Sequence, residues 1–307
     1  MDRRDFIRVS GTAAAGLALA GCAPKMGGAW STREEELYGP RKTGHFTLMQ
    51  ISSVRDTIGN SYLLRTSGGK VIMMDGGHGF EAPHLRERIM EAGGHVDLWF
   101  ISHPHQDHME ALIEILEDMQ EISIDRIFYS RVSDAFLNNE PGNAEDARRY
   151  YRVLDNTPVR TDILNLHKPF QRFDIDGVGI LLMAVDHPEF KSPLYNDQST
   201  IIRVWDDMKS VVFLGDAQVE CGNAALRECR DYLDCDYLQM AHHGQDGVTE
   251  EFYKTVNFRA CLWPTPSWVW EPGENTWLKT YDTRRWMDEK GITEHHVSCL
   301  ETDWVLL

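Results

Sequence analysis

The sequence predicts a single domain of mixed α/β class (α+β), folded as a four-layer αββα sandwich. Short apolar runs alternate with stretches of helical spacing along most of the chain. These runs gather into two β-rich halves, each decorated with helices, and no linker divides them. The 307 residues, 42% of them hydrophobic, are enough to bury one large core.

The first 22 residues stand apart from that pattern. "MDRRDFIRVSGTAAAGLALAGC" pairs Arg3 with Arg4, continues through a mild Ala/Gly/Leu run and closes on Leu19-Ala20-Gly21-Cys22. It resembles a bacterial twin-arginine export signal ending in a lipoprotein cleavage box. The resemblance implies an extracytoplasmic protein held to the bacterial membrane by lipid on Cys22. Residues 23–44, polar and rich in Gly, Pro and charge, are expected to be a tether, and 45–307 the folded domain.

From Phe46 the text turns to strands. "FTLMQISS", "NSYLLRT" and "KVIMMDGG" follow one another, with Ser67-Gly68-Gly69 as a tight turn between the last two. "HLRERIMEAG" has helical spacing and stops at Gly93-Gly94. "VDLWFIS" is a continuous apolar strand, and "HMEALIEILEDMQ" an amphipathic helix. "RIFYS" and a polar helical segment over 143–154 complete the first half.

The second half begins with the strands "GVGILLMAV", "STIIRVW" and "SVVFLGD". A helix over 220–233, the strand "DYLQMA" and the pair His242-His243 come next, and "RACLWP", a helix over 279–290 and "WVLL" close the chain. The tryptophans from Trp263 to Trp286 suit either core packing or a stacking face at the mouth of a site. Apart from Cys22, the cysteines at 221, 229, 235, 261 and 299 show no CxxC spacing. They read as buried thiols or at most one bridge, not as a zinc knuckle.

The chemistry concentrates at one strand end. "ISHPHQDHMEAL" places His103, His105, Asp107 and His108 between an apolar strand and a helix. Ligands at i and i+2 on such a loop can converge on one point while the next two face a neighbouring one. Neutral imidazole and carboxylate suit zinc, with manganese as the alternative.

This H-x-H-x-D-H run after a strand resembles the signature of metallo-β-lactamase-fold hydrolases. "VVFLGDAQ" supplies Asp216 where the family has a metal-bridging aspartate, "YLQMAHHGQ" supplies the late histidine, and Asp75 in "MMDGG" matches a loop-supporting aspartate. Where many members carry a middle histidine, "YNDQSTIIRVW" has Asn196. That form, with "GD", "HHG" and "VDHPEF", resembles the ComEC-type branch of DNA-uptake competence proteins and their free-standing relatives. The resemblance implies two divalent ions held by His103, His105, Asp107, His108, Asp216 and His242. The position served by His103 and His105 lacks a clear fourth partner, with Asn196 and His187 as alternatives. Asp107 would also orient the nucleophilic water, and His243 would polarise the substrate or protonate the leaving group.

Such a centre activates water for displacement at phosphorus or acyl carbon, so it fixes the reaction type more closely than the substrate. The ComEC-type features favour phosphodiesters. Export favours a β-lactam or lactone as the alternative, and a non-catalytic binding module of the same fold is a third reading that the ligand set disfavours. Net charge is −17, from 48 acidic against 31 basic residues, which argues against an extended nucleic-acid-binding face. A phosphodiester or other small-molecule substrate is the expected partner.

Overall fold

The apolar runs become strands covered on both faces, which is why they read as continuous and not as alternating. The structure is a computed structural model describing residues 32–164, 170–184, 190–275 and 277–307. The export-type segment, Cys22 and His187 lie outside the described residues.

The first half opens with helix α1 (Thr32–Tyr38) and strands β1 (Phe46–Gln50), β2 (Ser61–Thr66) and β3 (Val71–Asp75). Helix α2 (Ala82–Glu91), strands β4 (His95–Val96) and β5 (Leu98–Ile101), and helix α3 (Gln106–Glu117) follow. Strands β6 (Ser123–Ile124) and β7 (Arg126–Tyr129), helices α4 (Asp134–Leu137) and α5 (Pro141–Asn156), and strand β8 (Arg160–Ile163) complete it.

The second half runs through β9 (Gln171–Ile175), β10 (Val178–Ala184), β11 (Ile201–Trp205) and β12 (Ser210–Phe213). Then come α6 (Val219–Leu233), β13 (Tyr237–Gln239), α7 (Glu250–Thr255) and β14 (Ala260–Trp263). Helices α8 (Ser267–Trp270) and α9 (Thr280–Lys290), with β15 (Glu294–Val297) and β16 (Trp304–Leu306), end the chain.

Among the described residues two seven-stranded sheets form, ordered β16-β1-β2-β3-β5-β7-β8 and β15-β14-β13-β12-β11-β10-β9. The last strand crosses back to the first sheet, where Leu306 pairs with Leu48. Between the sheets lies one apolar layer that includes Leu48, Ile72, Met74, Phe100, Ile202, Val204 and Phe213. A second layer seats α2, α3 and α5 on the outer face of the first sheet. A third seats α6, α7 and α9 on the outer face of the second. Successive residues serve different layers: Ile72 and Met74 point between the sheets, Val71 and Met73 toward the helices. This is the expected αββα sandwich.

Three local expectations need correction. "VDLWFIS" is not one strand, because the Asp97 carboxylate accepts from the Val71 amide at 2.8 Å and from Lys70 Nζ at 2.7 Å. The chain breaks there, β4 pairing with β6 in a small separate sheet and β5 with β3 and β7. The segment read as a tether is also structured in its described part. Tyr38, 3% exposed, packs on Trp205 with ring centroids 5.7 Å apart, and the Arg203 guanidinium lies 4.5 Å from its ring. The amide of Gly44 donates to Gly177 at 3.1 Å, so the chain is pinned on both sides of residue 40. Finally, β8, β9 and β15 were not foreseen.

All five described cysteines are free, four of them buried. Trp263 is fully buried and Trp270 and Trp286 pack against the core, whereas Trp268 and Trp277 are exposed.

Candidate metal centre

Strands β3 and β5 run parallel, as do β12 and β13, so their C-terminal ends deliver the chemistry to one edge of the sandwich. Asp75 ends β3, and the loop after β5 carries His103 and His105. Asp107 and His108 occupy the first turn of α3. Asp216 follows β12. His242 and His243 sit in a 3₁₀ turn, Ala241–Gly244, after β13. The Gln239 side chain ties the last two ends together, accepting from the Leu214 and Gly215 amides at 2.7 Å each and donating to the Gly215 carbonyl at 3.0 Å.

Two groups of ligand atoms form there, each drawn within 4.8 Å: Asp107, His108, Asp216 and His243 in one, His103, His105 and Asp216 in the other. In the four-residue group, His243 Nε2 lies 2.9 Å from Asp107 Oδ2 and 3.4 Å from Asp216 Oδ2. His108 Nε2 lies 3.1 Å from Asp216 Oδ1. Asp107 Oδ2, His108 Nε2, Asp216 Oδ1 and His243 Nε2 are all buried without a hydrogen-bond partner. These four atoms have chiefly one another for company, two buried carboxylates against two buried imidazoles, a donor set that suits a divalent cation.

The three-residue group is less enclosed, with His105 only half-buried. His103 Nδ1 is 3.0 Å from Ser102 Oγ, whose own proton goes to Asp75 Oδ2 at 2.9 Å. His105 Nε2 is 2.7 Å from Glu140 Oε2. Those contacts take the ring protons of the neutral imidazoles and turn His103 Nε2 and His105 Nδ1 toward each other, 3.0 Å apart. A divalent ion between them satisfies both lone pairs.

The support is dense. Asp75 accepts from the Ser102 amide at 2.7 Å, Asn60 Nδ2 at 2.6 Å and His108 Nδ1 at 2.8 Å, so it holds the loop and stays off the two groups. His243 donates from Nδ1 to the Pro264 carbonyl at 2.9 Å. His242 and His243 both adopt left-handed backbone, with φ of 50° and 56°. Each such residue costs of order 1–3 kcal/mol, which marks the turn as held by its surroundings. Gly244 follows at φ 77°, and a Cβ there would stand 2.3 Å from the Trp263 ring.

Burial alone would raise the carboxyls of Asp107 and Asp216, but His108 and His243 hold both well below the usual range. Burial pulls His243 down; Asp216 and Asp107 outweigh it and raise the imidazole to about 10. His108 is likewise lowered by burial and raised well above its ordinary value by Asp216, Asp107 and Asp75. His103, fully buried and beside His108, is held well below. The two carboxylates and the two imidazoles thus stabilise one another's charged forms.

The structure brings His103, His105, Asp107, His108 and Asp216 together as the sequence suggests, and of the late pair it places His243, not the expected His242, in the four-residue group. His243 is fully buried, with Nδ1 donating to the Pro264 carbonyl and Nε2 turned into the four-residue group. His242 falls in neither group; its Nε2 lies 3.9 Å from Asp216 Oδ2 and 3.2 Å from Asn196 Nδ2. Sequence reasoning missed Glu140, which accepts from His105, from the Tyr195 amide at 2.7 Å and from Asn143 Nδ2 at 2.7 Å. It also missed Tyr195, whose ring stacks on His105 with centroids 5.2 Å apart.

A family model described as the metallo-beta-lactamase superfamily matches residues 54–251, which include every residue of both groups. No curated protein matches the sequence. Among solved structures, the metallo-beta-lactamase fold protein YhfI from Bacillus subtilis is similar at TM-score 0.53 and 15% identity, over 85% of this chain and 98% of that one. Zn(2+)-bound PqqB from Methylobacterium extorquens is similar at TM-score 0.50 and 9% identity, over 86% of this chain and 100% of that one. CmlA, a diiron beta-hydroxylase from Streptomyces venezuelae, is similar at TM-score 0.51 and 13% identity; the match covers 87% of this chain and 54% of CmlA. At these identities the likeness is one of fold.

Proposed function

Because the chain belongs to the metallo-beta-lactamase superfamily, we propose that it is a two-metal hydrolase acting on phosphodiesters. One observation carries the reading: four buried ligand atoms of Asp107, His108, Asp216 and His243 converge beside a second pair of imidazole nitrogens, and Asp216 belongs to both groups. Asp107, His108, Asp216 and His243 would hold one ion, and His103, His105 and Asp216 the other. Zinc suits this mixture of imidazole and carboxylate, with manganese as the alternative. When bound, such a pair supplies an activated water at neutral pH and offsets charge on the attacking and leaving oxygens.

The remaining work falls to the chain. Asp107 and Asp216 orient the attacking water by accepting its proton contacts. His103, His108 and His243, fully buried, keep bulk water from the inner side of the site. His105, Glu140 and His242 retain 16%, 14% and 20% side-chain exposure, so substrate enters past them. Asn196, 6% exposed, brings an amide to that entrance whose Oδ1 has no partner. Its Nδ2, 3.2 Å from His242 Nε2, is the end of the amide able to donate to a phosphoryl oxygen without adding charge. The N-x-x-S stretch, GD and HHG, similar to the ComEC-type branch, favour phosphodiesters over β-lactams.

Metal-loaded protein assayed on bis-p-nitrophenyl phosphate, single-stranded DNA, nitrocefin and an acyl-homoserine lactone tests the substrate class. Turnover confined to the phosphodiesters is expected. Cleavage of nitrocefin or the lactone alone would replace the phosphodiester half of the reading and leave the metal half standing. The N-terminal segment adds a second proposal, that the protein works outside the cytoplasm with lipid on Cys22. Mass spectrometry of the mature N-terminus should find a lipidated cysteine, and an unmodified Met1 in a soluble cytoplasmic fraction would exclude it.

A further inference from the structure

We infer that His242 supplies the third imidazole of the metal position served by His103 and His105, replacing the histidine for which Asn196 stands. This rests on the two-metal reading above and assigns a ligand within it.

The geometry treats His242 as a counterpart of His103. Both Nε2 atoms lie 3.9 Å from the same oxygen, Asp216 Oδ2. His242 Nδ1 is 2.9 Å from the Asp246 carbonyl, which can only accept, so the ring proton sits on Nδ1 and Nε2 presents a lone pair. His103 and His243 are turned in the same way, their Nδ1 atoms occupied by Ser102 and Pro264. Asn196 Nδ2 lies 3.2 Å from the His242 lone pair. The late imidazole and the Asn196 side chain therefore meet at one spot beside Asp216.

The consecutive left-handed residues explain how one turn serves two positions. With φ of 50° and 56° the adjacent side chains diverge, their ring centroids 6.0 Å apart and inclined by 55°. His243 goes inward to Asp107, and His242 goes outward along Asp216. An ordinary helical or extended backbone would not aim both rings at one carboxylate. The His242 side chain keeps 20% exposure, slightly more than the 16% of His105, so both rings stand at the open side of this position.

Zinc stoichiometry after dialysis, measured by elemental analysis with far-UV circular dichroism alongside, tests the assignment. Wild type should hold two equivalents and His242→Ala one, with unchanged secondary structure. Adding Asn196→His to His242→Ala should restore the second equivalent and a tetrahedral cobalt absorption in the Co²⁺-loaded protein. If alanine unsettles the fold, His242→Gln keeps the polar bulk without the imidazole and should likewise hold one. A His242 variant that keeps two equivalents at wild-type affinity overturns the assignment and leaves the two-metal centre intact. A wild type holding one equivalent that the variant also keeps overturns it too. A wild type that binds none overturns the metal reading itself.

Discussion

Nε2 of His105 lies 2.7 Å from Oε2 of Glu140, and Oε1 of the same carboxylate accepts the Tyr195 amide at 2.7 Å. Burial would raise the Glu140 carboxyl, but the His105 contact prevails and holds it below its ordinary value. Glu140 therefore fixes the His105 ring and the turn that carries Asn196 together. A carboxylate in this place typically accounts for 10–100-fold in metal affinity. Glu140→Gln should weaken one of two zinc equivalents by roughly that factor and spare the other. Competition against a chelator of known affinity checks it, and unchanged affinities would reduce Glu140 to a structural cap.

Asp216→Asn should cost activity on the order of a hundredfold or more, since one carboxylate serves both groups. The change is nearly isosteric, so thermal unfolding of the metal-free protein should confirm an intact fold. Activity within a few-fold of wild type would mean that Asp216 bridges nothing.

Metal uptake should release protons. Asp107 and Asp216 hold protons on His108 and His243 in the metal-free site, the latter raised to about 10. A cation must displace both, so affinity rises as pH rises toward that value. At pH 7 roughly two protons should leave with the ion that takes this position. Calorimetry in buffers of different ionisation enthalpy reads that number directly, and a release near zero would show that these imidazoles are already neutral.

Tyr38→Ala should lower stability by about 3 kcal/mol, at the lower end for emptying a buried aromatic site. The ring covers Trp205 and the Arg203 guanidinium, which is itself fully buried. Urea unfolding measures the change. A shift under about 0.5 kcal/mol would return residues 32–38 to the role of a passive tether.

Much of this was legible because the ligands stand at the ends of apolar strands covered on both faces. His103, His105, Asp107 and His108 lie within six consecutive residues, on the loop after β5 and the first turn of α3, and Asp216 follows a run that could only be a core strand. What stayed hidden has physical causes. Strands β8, β9 and β15 sit at or beside sheet edges and are half exposed, so "RTDI", "QRFDI" and "EHHV" carry no apolar run. Which of His242 and His243 faces Asp107 depends on a left-handed backbone that no glycine announces at those two positions. Glu140 reaches His105 from 35 residues away, at the start of α5, where its own neighbours read as an ordinary turn. Asp97 breaks an otherwise continuous apolar run through hydrogen bonds to the neighbouring strand, which spacing alone does not reveal.

Turnover of bis-p-nitrophenyl phosphate before chelation, after exhaustive chelation and after readdition of zinc or manganese bears most directly on whether this buried His/Asp cluster activates water through bound metal. Activity should vanish on chelation and return in step with the metal restored, reaching its maximum near two equivalents per chain. Full activity in protein stripped of metal would contradict it.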